Sequence, residues 1–139
     1  MKIKTDFVTN SSSTSFIIMT KEDNWNKDSF IDLMGVEKES DFYDMMNELY
    51  YTLTNEKEDI ETKFNSGYWG EMYSTLEEFI KKEFSQLVYE KYLNAIENGE
   101  NVFIGHLSSD DEAFNAYVCM DSFIEENDKI YFNYTNCYW

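Results

Sequence analysis

Apolar positions in this chain switch between two periods, and the switches mark its elements. The first run, Lys2-Ile3-Lys4-Thr5-Asp6-Phe7-Val8, alternates loosely and then meets the polar cluster Thr9-Asn10-Ser11-Ser12-Ser13. A second run, Ser15-Phe16-Ile17-Ile18-Met19, follows it. Two β-type runs around short polar side chains predict a hairpin, with the unbroken apolar stretch from Phe16 to Met19 as the more buried strand.

From Asn26 to Met34 the spacing becomes helical, with Phe30, Ile31, Leu33 and Met34 apolar and Gly35 placed to stop the helix. Ser40 is placed to cap a second helix, in which Phe42, Met45, Met46, Leu49, Tyr50 and Leu53 recur at three and four residues. Glu56 to Lys63 is highly charged and suits a short helix or a solvated connection. The loop Asn65-Ser66-Gly67-Tyr68-Trp69-Gly70 follows, with two bulky aromatics. Ser74 and Glu77 then have the spacing of a capping box. Behind them an apolar stripe of Leu76, Phe79, Ile80, Phe84, Leu87, Val88, Tyr92, Leu93 and Ile96 runs to Gly99, as one helix or as two broken near Ser85.

Asn101 to Leu107 and Lys129 to Tyr134 read as strands, and Asp110 to Met120 as a short helix or irregular turn. The predicted fold is a single α+β domain over residues 1–139. In it a small antiparallel sheet, made of the N-terminal hairpin and the C-terminal strands, packs against a helical layer. The aromatic run Tyr131 to Trp139 is expected to be ordered, paired within the sheet or joined at its edge to a second copy of the chain.

Composition narrows the class. Hydrophobic residues make up 42% and aromatics 18% of 139 residues, enough to bury one core. The chain has 28 acidic side chains, 11 lysines and no arginine, for a net charge of -17. Such a surface repels nucleic acid and anionic membrane and attracts basic proteins. Residues 1–21 carry three lysines against Asp6 alone, so nearly all the acidity lies in the helical and C-terminal regions. The lack of arginine and proline suggests AT-rich coding, as in a low-GC bacterium, archaeon or phage. Two isolated cysteines, Cys119 and Cys137, read as free thiols. With no apolar run of membrane-spanning length and no signal-peptide pattern, the expected compartment is the cytoplasm.

The opening, Lys2-Ile3-Lys4-Thr5-Asp6-Phe7-Val8-Thr9-Asn10 followed by Ser11-Ser12-Ser13-Thr14-Ser15-Phe16, resembles the N-terminus of a loose family of uncharacterised bacterial, archaeal and phage proteins. Members open with a basic residue, a Thr-Asp-Phe-Val string, Asn, a serine run and Phe. Lys4 and Thr14 stand where that pattern has arginine and unbroken serine. The resemblance covers about the first eighteen residues, points to mobile-element ancestry, and implies no activity and no catalytic residue. Physically, Asn10 to Ser15 could cradle an anion beside Lys2 and Lys4, while short hydroxyl and amide side chains more commonly bond their own backbone in a turn.

Catalytic signals are sparse. His106 is the single histidine, which excludes multi-histidine zinc sites. A nucleophilic site would have to assemble His106, Cys119 and an acid such as Asp110, against the ordinary reading of a strand-end histidine and a buried thiol. Zinc through His106, Cys119, Cys137 and one carboxylate has the right ligand chemistry but lacks close paired-ligand spacing. Asp110, Asp111 and Glu112 have the chemistry for magnesium or calcium without the alternation of an EF-hand loop, and acids are equally at home in the first turn of a helix. The pairs Glu77-Glu78 and Glu125-Glu126 read as solvated neighbours.

No cofactor is expected. The function expected is that of a non-enzymatic acidic binding protein, inhibiting or regulating a basic nucleic-acid-binding protein such as a CRISPR effector by DNA mimicry, with no direct nucleic-acid or membrane binding. Its rivals are a small hydrolase or metal-dependent enzyme centred on His106, and a structural or assembly protein.

Overall fold

A computed structural model of the chain describes residues 13–67, 69–108 and 123–136. Strand β1 (Ser13–Thr20) leads through a 3-10 turn into helices α1 (Lys27–Met34) and α2 (Tyr43–Glu56). A two-residue strand β2 (Glu58–Asp59) precedes α3 (Ile60–Ser66), α4 (Trp69–Met72), α5 (Leu76–Glu83) and α6 (Gln86–Glu97). Strands β3 (Asn101–Ser108), β4 (Phe123–Glu126) and β5 (Ile130–Asn136) complete it. Every pairing is antiparallel, and the sheet order is β2-β3-β1-β5-β4.

The α+β class and the antiparallel sheet are as the sequence predicts; the partner of β1 is not. Both edges of β1 are occupied from Thr14 to Thr20, one by β3 and the other by β5, so the strand is the centre of the sheet and not one arm of an N-terminal hairpin. Ser13 and Thr14, expected in the hairpin loop, already belong to the strand. Residues 2–8 lie outside the described residues.

Helices cover both faces of the sheet, where one layer was expected. The cause is the unbroken apolar run in β1: successive side chains of a strand point to opposite faces. Phe16 and Ile18 therefore face one way and Ile17 and Met19 the other, each no more than 2% exposed. On the first face Phe16, Ile18, Ile130 and Phe132 pack against Phe30, Ile31 and Leu33 of α1 and Met46, Leu49 and Leu53 of α2. Edge-to-face contacts join Phe132 to Phe30 at 5.8 Å and to Phe16 at 6.5 Å. On the second face Ile17, Met19, Val102, Ile104 and Tyr131 pack against α3, α5 and α6 through Ile60, Phe64, Phe79, Ile80, Val88, Tyr92 and Ala95.

Local chemistry sets the helix ends. Asn26 caps α1 by accepting the Ser29 N–H at 2.8 Å, and Gly35, at φ 72°, closes it by donating to the Ile31 and Asp32 carbonyls. The capping box of α5 sits one residue later than expected: Thr75 Oγ1 accepts the Glu78 N–H while Glu78 accepts the Ser74 N–H. Ser85 Oγ accepts the Val88 N–H at 3.1 Å and so starts α6, making the 76–97 stretch two helices. Ser40 caps a turn by accepting the Phe42 N–H, α2 begins at Tyr43, and Phe42 is exposed instead of in the core. Of the expected apolar stripe, Leu87, Leu93 and Ile96 are about half exposed, because α6 turns Val88, Tyr92 and Ala95 to the sheet.

Gly105 lies opposite Phe16 on the α1–α2 face. A Cβ there would sit 2.6 Å from the Phe16 ring and 2.8 Å from the Glu56 carbonyl oxygen, so only a bare backbone lets the C-terminal end of α2 rest on β3. Gly105→Ala should therefore lose about 1–3 kcal/mol through overpacking. Phe16→Ala, which empties the fully buried centre of the same face, should lose about 3–5 kcal/mol. Urea unfolding of both variants measures these losses; a Phe16 variant as stable as the parent would show that this ring is not a core residue.

Candidate functional site

His106 lies on β3, exposed, directly opposite the buried Ser15 of β1. Its Nδ1 and the Ser15 Oγ share a hydrogen bond of 3.3 Å. The structure thus gives His106 a hydroxyl partner from a neighbouring strand far away in sequence. Asp110, Asp111, Glu112, Cys119 and Cys137 lie outside the described residues, so the nucleophilic and metal arrangements drawn from them are not placed here. Among the described residues no three His, Cys, Asp or Glu side chains converge as metal ligands.

The acids are more informative, because the two helical layers treat them differently. Residues 58–100 hold ten, and seven of them are engaged within the chain. Glu58 pairs with Lys63 at 3.0 Å, and Asp59 caps α3 by accepting the Thr62 N–H. Glu61 and Glu83 accept hydroxyls from Tyr92 and Tyr73, Glu78 accepts the Ser74 N–H, and Glu90 accepts from Gln86. Glu77 accepts from Lys81 at 2.6 Å and from Tyr89 at 3.2 Å, and the Lys81 bond above all, with Tyr89 second, holds its carboxyl below the usual range. Further along the sheet Glu126 pairs with Lys91 at 2.9 Å.

The α1–α2 layer is the opposite case. Residues 21–57 also hold ten acids: Glu22, Asp23, Asp28, Asp32, Glu37, Glu39, Asp41, Asp44, Glu48 and Glu56. All are exposed. Among the described residues none of their carboxylates forms an ion pair or a hydrogen bond; the three ion pairs all use lysines of α3, α5 and α6. Two pairs of like charge, Asp28 with Asp32 on α1 and Asp44 with Glu48 on α2, stand four residues apart, where each destabilises its helix by about 0.2–0.5 kcal/mol.

Apolar surface accompanies this charge. Asp28, Asp32, Glu37 and Glu39 rim an open cleft whose other walls are Ile31, Val36, Tyr43 and Lys38. Phe42 and Tyr51, 55% and 52% exposed, lie at the start and on the outer side of α2. An unpaired anionic rim around aromatic and aliphatic surface suits the stem and head of a long basic side chain. The signal was in the sequence: on the helices of residues 21–57 Asp28 is followed four residues later by Asp32 and Asp44 by Glu48, whereas Glu77 is followed by Lys81. What spacing could not supply was that both stretches are solvent-facing and on opposite sides of one sheet.

The chain matches no protein-family model, no curated protein and no solved structure.

The engaged layer has a pH signature. Burial, reinforced by the Glu61 carboxylate, pushes the Tyr92 hydroxyl up to about 12 from the ordinary 10. A raised folded value means that the contribution is complete below pH 10 and is lost as the pH climbs toward 12, because the unfolded chain releases its proton first. Tyr92→Phe should flatten the fall in stability across that interval, read by urea unfolding at a series of alkaline pH values. An unchanged slope would remove Tyr92 as its source.

Proposed function

We propose that this chain is a non-enzymatic acidic binding protein that engages a basic nucleic-acid-binding protein, such as a nuclease, repressor or CRISPR effector, through its α1–α2 layer. The observation that carries this reading is the set of ten exposed, unpaired carboxylates on one layer of a fold whose other layer engages most of its own. Carboxylates held by two packed helices and the turns beside them offer a cationic groove what the phosphates of DNA offer it, and the field of a chain at -17 steers such a groove inward. Phe42 and Tyr51 supply contact area that salt does not screen. By the same field, phosphate and anionic lipid are repelled, and no described helix is long and apolar enough to cross a membrane.

The rival reading is a hydrolase centred on His106, and the Ser15–His106 hydrogen bond is the observation in its favour. A hydroxyl and an imidazole in contact are two parts of a nucleophilic site, which also needs a group to orient the base and donors for the oxyanion. The third reading, assembly through the C-terminal strand, meets a geometric obstacle: β5 uses both of its edges inside the chain, pairing β1 and β4.

One substitution separates function from fold. Glu48→Lys replaces a repulsive pair with an Asp44–Lys pair at the same spacing, so it should stabilise the isolated protein by about 0.5 kcal/mol. On the reading proposed here it should also weaken capture of the basic partner and steepen the partner's recovery by competing duplex DNA. Stability is read by urea unfolding and partner retention by pull-down at several salt concentrations. Glu71→Lys on α4 should leave retention nearly unchanged. If His106→Ala abolished activity while the Glu48 variant bound normally, catalysis would replace mimicry.

A further inference from the structure

Helix α6 carries more apolar residues than its contact with the sheet uses. Val88, Tyr92 and Ala95 fill the core, spaced four and three apart. A second row at the same spacing, Tyr89, Leu93 and Ile96, lies about 100° around the helix, because each member stands one residue beyond its core counterpart. Leu93 and Ile96 are 49% and 48% exposed, while Tyr89 is partly buried, anchored to α5 by its hydrogen bond to Glu77. A row of apolar side chains at i, i+4 and i+7 is the form in which one helix receives another.

Charge selects the occupant. Glu90 and Glu97 border the row, and the lysines beside it are committed, Lys91 to Glu126 and Lys81, which lies over the Tyr89 ring, to Glu77. A second copy of this chain would bring its own -17 to the contact, with like charges facing like. We propose that the Tyr89–Leu93–Ile96 row of α6 is a second docking surface, separate from the α1–α2 layer, for a cationic amphipathic helix whose apolar stripe lies between lysines or arginines. Its leucine-type side chains cover Leu93 and Ile96, and its basic residues reach Glu90 and Glu97. The two surfaces lie on opposite faces of the sheet, so one protein could hold two basic segments at once.

The test uses the full chain and a synthetic helical peptide of leucine and lysine in amphipathic order, titrated at physiological salt and followed by amide chemical shifts. Shifts should concentrate on α6, and Leu93→Ser with Ile96→Ser should weaken binding about tenfold or more, as losing buried apolar contact does. Because both residues are half exposed and outside the core cluster, urea unfolding should still show one cooperative transition, so that lost binding is not lost folding. Glu48→Lys, which tests the α1–α2 reading, should leave peptide affinity within about twofold, a shift of less than ~0.5 kcal/mol. A peptide with glutamate for lysine should not bind. The proposal is overturned if the peptide fails to bind, if shifts map to α1 and α2 instead, or if the α6 row proves to be a self-association surface, seen as a concentration-dependent dimer that the Leu93 and Ile96 substitutions abolish.

Discussion

Burial of β1 on both faces is the constraint from which the remaining structure follows. Four consecutive large side chains, Phe16 to Met19, are each almost wholly removed from water. A strand can achieve that only at the centre of a sheet with cover above and below. Its edges must then be paired, which β3 and β5 do, and its faces must each find a helical layer. The flanking strands are correspondingly mixed, and the outermost, β2 and β4, are short and end in acids, which blunts the sheet edges against pairing with other chains.

That arrangement places two sets of helices on opposite sides of one sheet and so gives the chain two outer surfaces with different electrostatics. The α3–α6 side returns most of its carboxylates to lysines, tyrosine hydroxyls and backbone N–H groups of its own. The α1–α2 side leaves its acids facing water and one another. Repulsion of that kind destabilises the isolated fold and is relieved by salt or by a cationic partner. Lysine at some of these positions would relieve the repulsion and stabilise the isolated fold.

Several elements were legible residue by residue. Asn26 and Gly35 bound α1 as their side-chain and φ requirements dictate, and Ser85 divides the 76–97 stretch because its hydroxyl can serve a new helix start. Where two adjacent residues could serve, spacing alone did not choose: Ser74 and Thr75 are both competent caps, and the packing of Phe79 and Ile80 goes with Thr75. The two-residue strand β2 is invisible to periodicity because it has no period; it exists because β3 offers Phe103 and Ile104 an edge to be covered. The candidate site was legible only as charge. Acids at four-residue spacing could be read along the chain, but not whether lysines distant in sequence, such as Lys91 beside Glu126, would neutralise them.

By itself, then, the sequence determined the period of the longer elements, the helix ends that carry a dedicated cap or glycine, the α+β class and the size and sign of the net charge. These depend on residues within a few positions of one another and on simple sums. Tertiary structure decided the partners of β1, the presence of two helical layers, the exposure of Leu93 and Ile96, the contact of His106 with Ser15, and which acids remain unpaired. Each of these is a choice among neighbours far apart along the chain. Nothing in the local pattern ranks such choices; they are settled by which combination buries the most apolar surface without crowding, as the bare backbone of Gly105 against Phe16 and α2 shows.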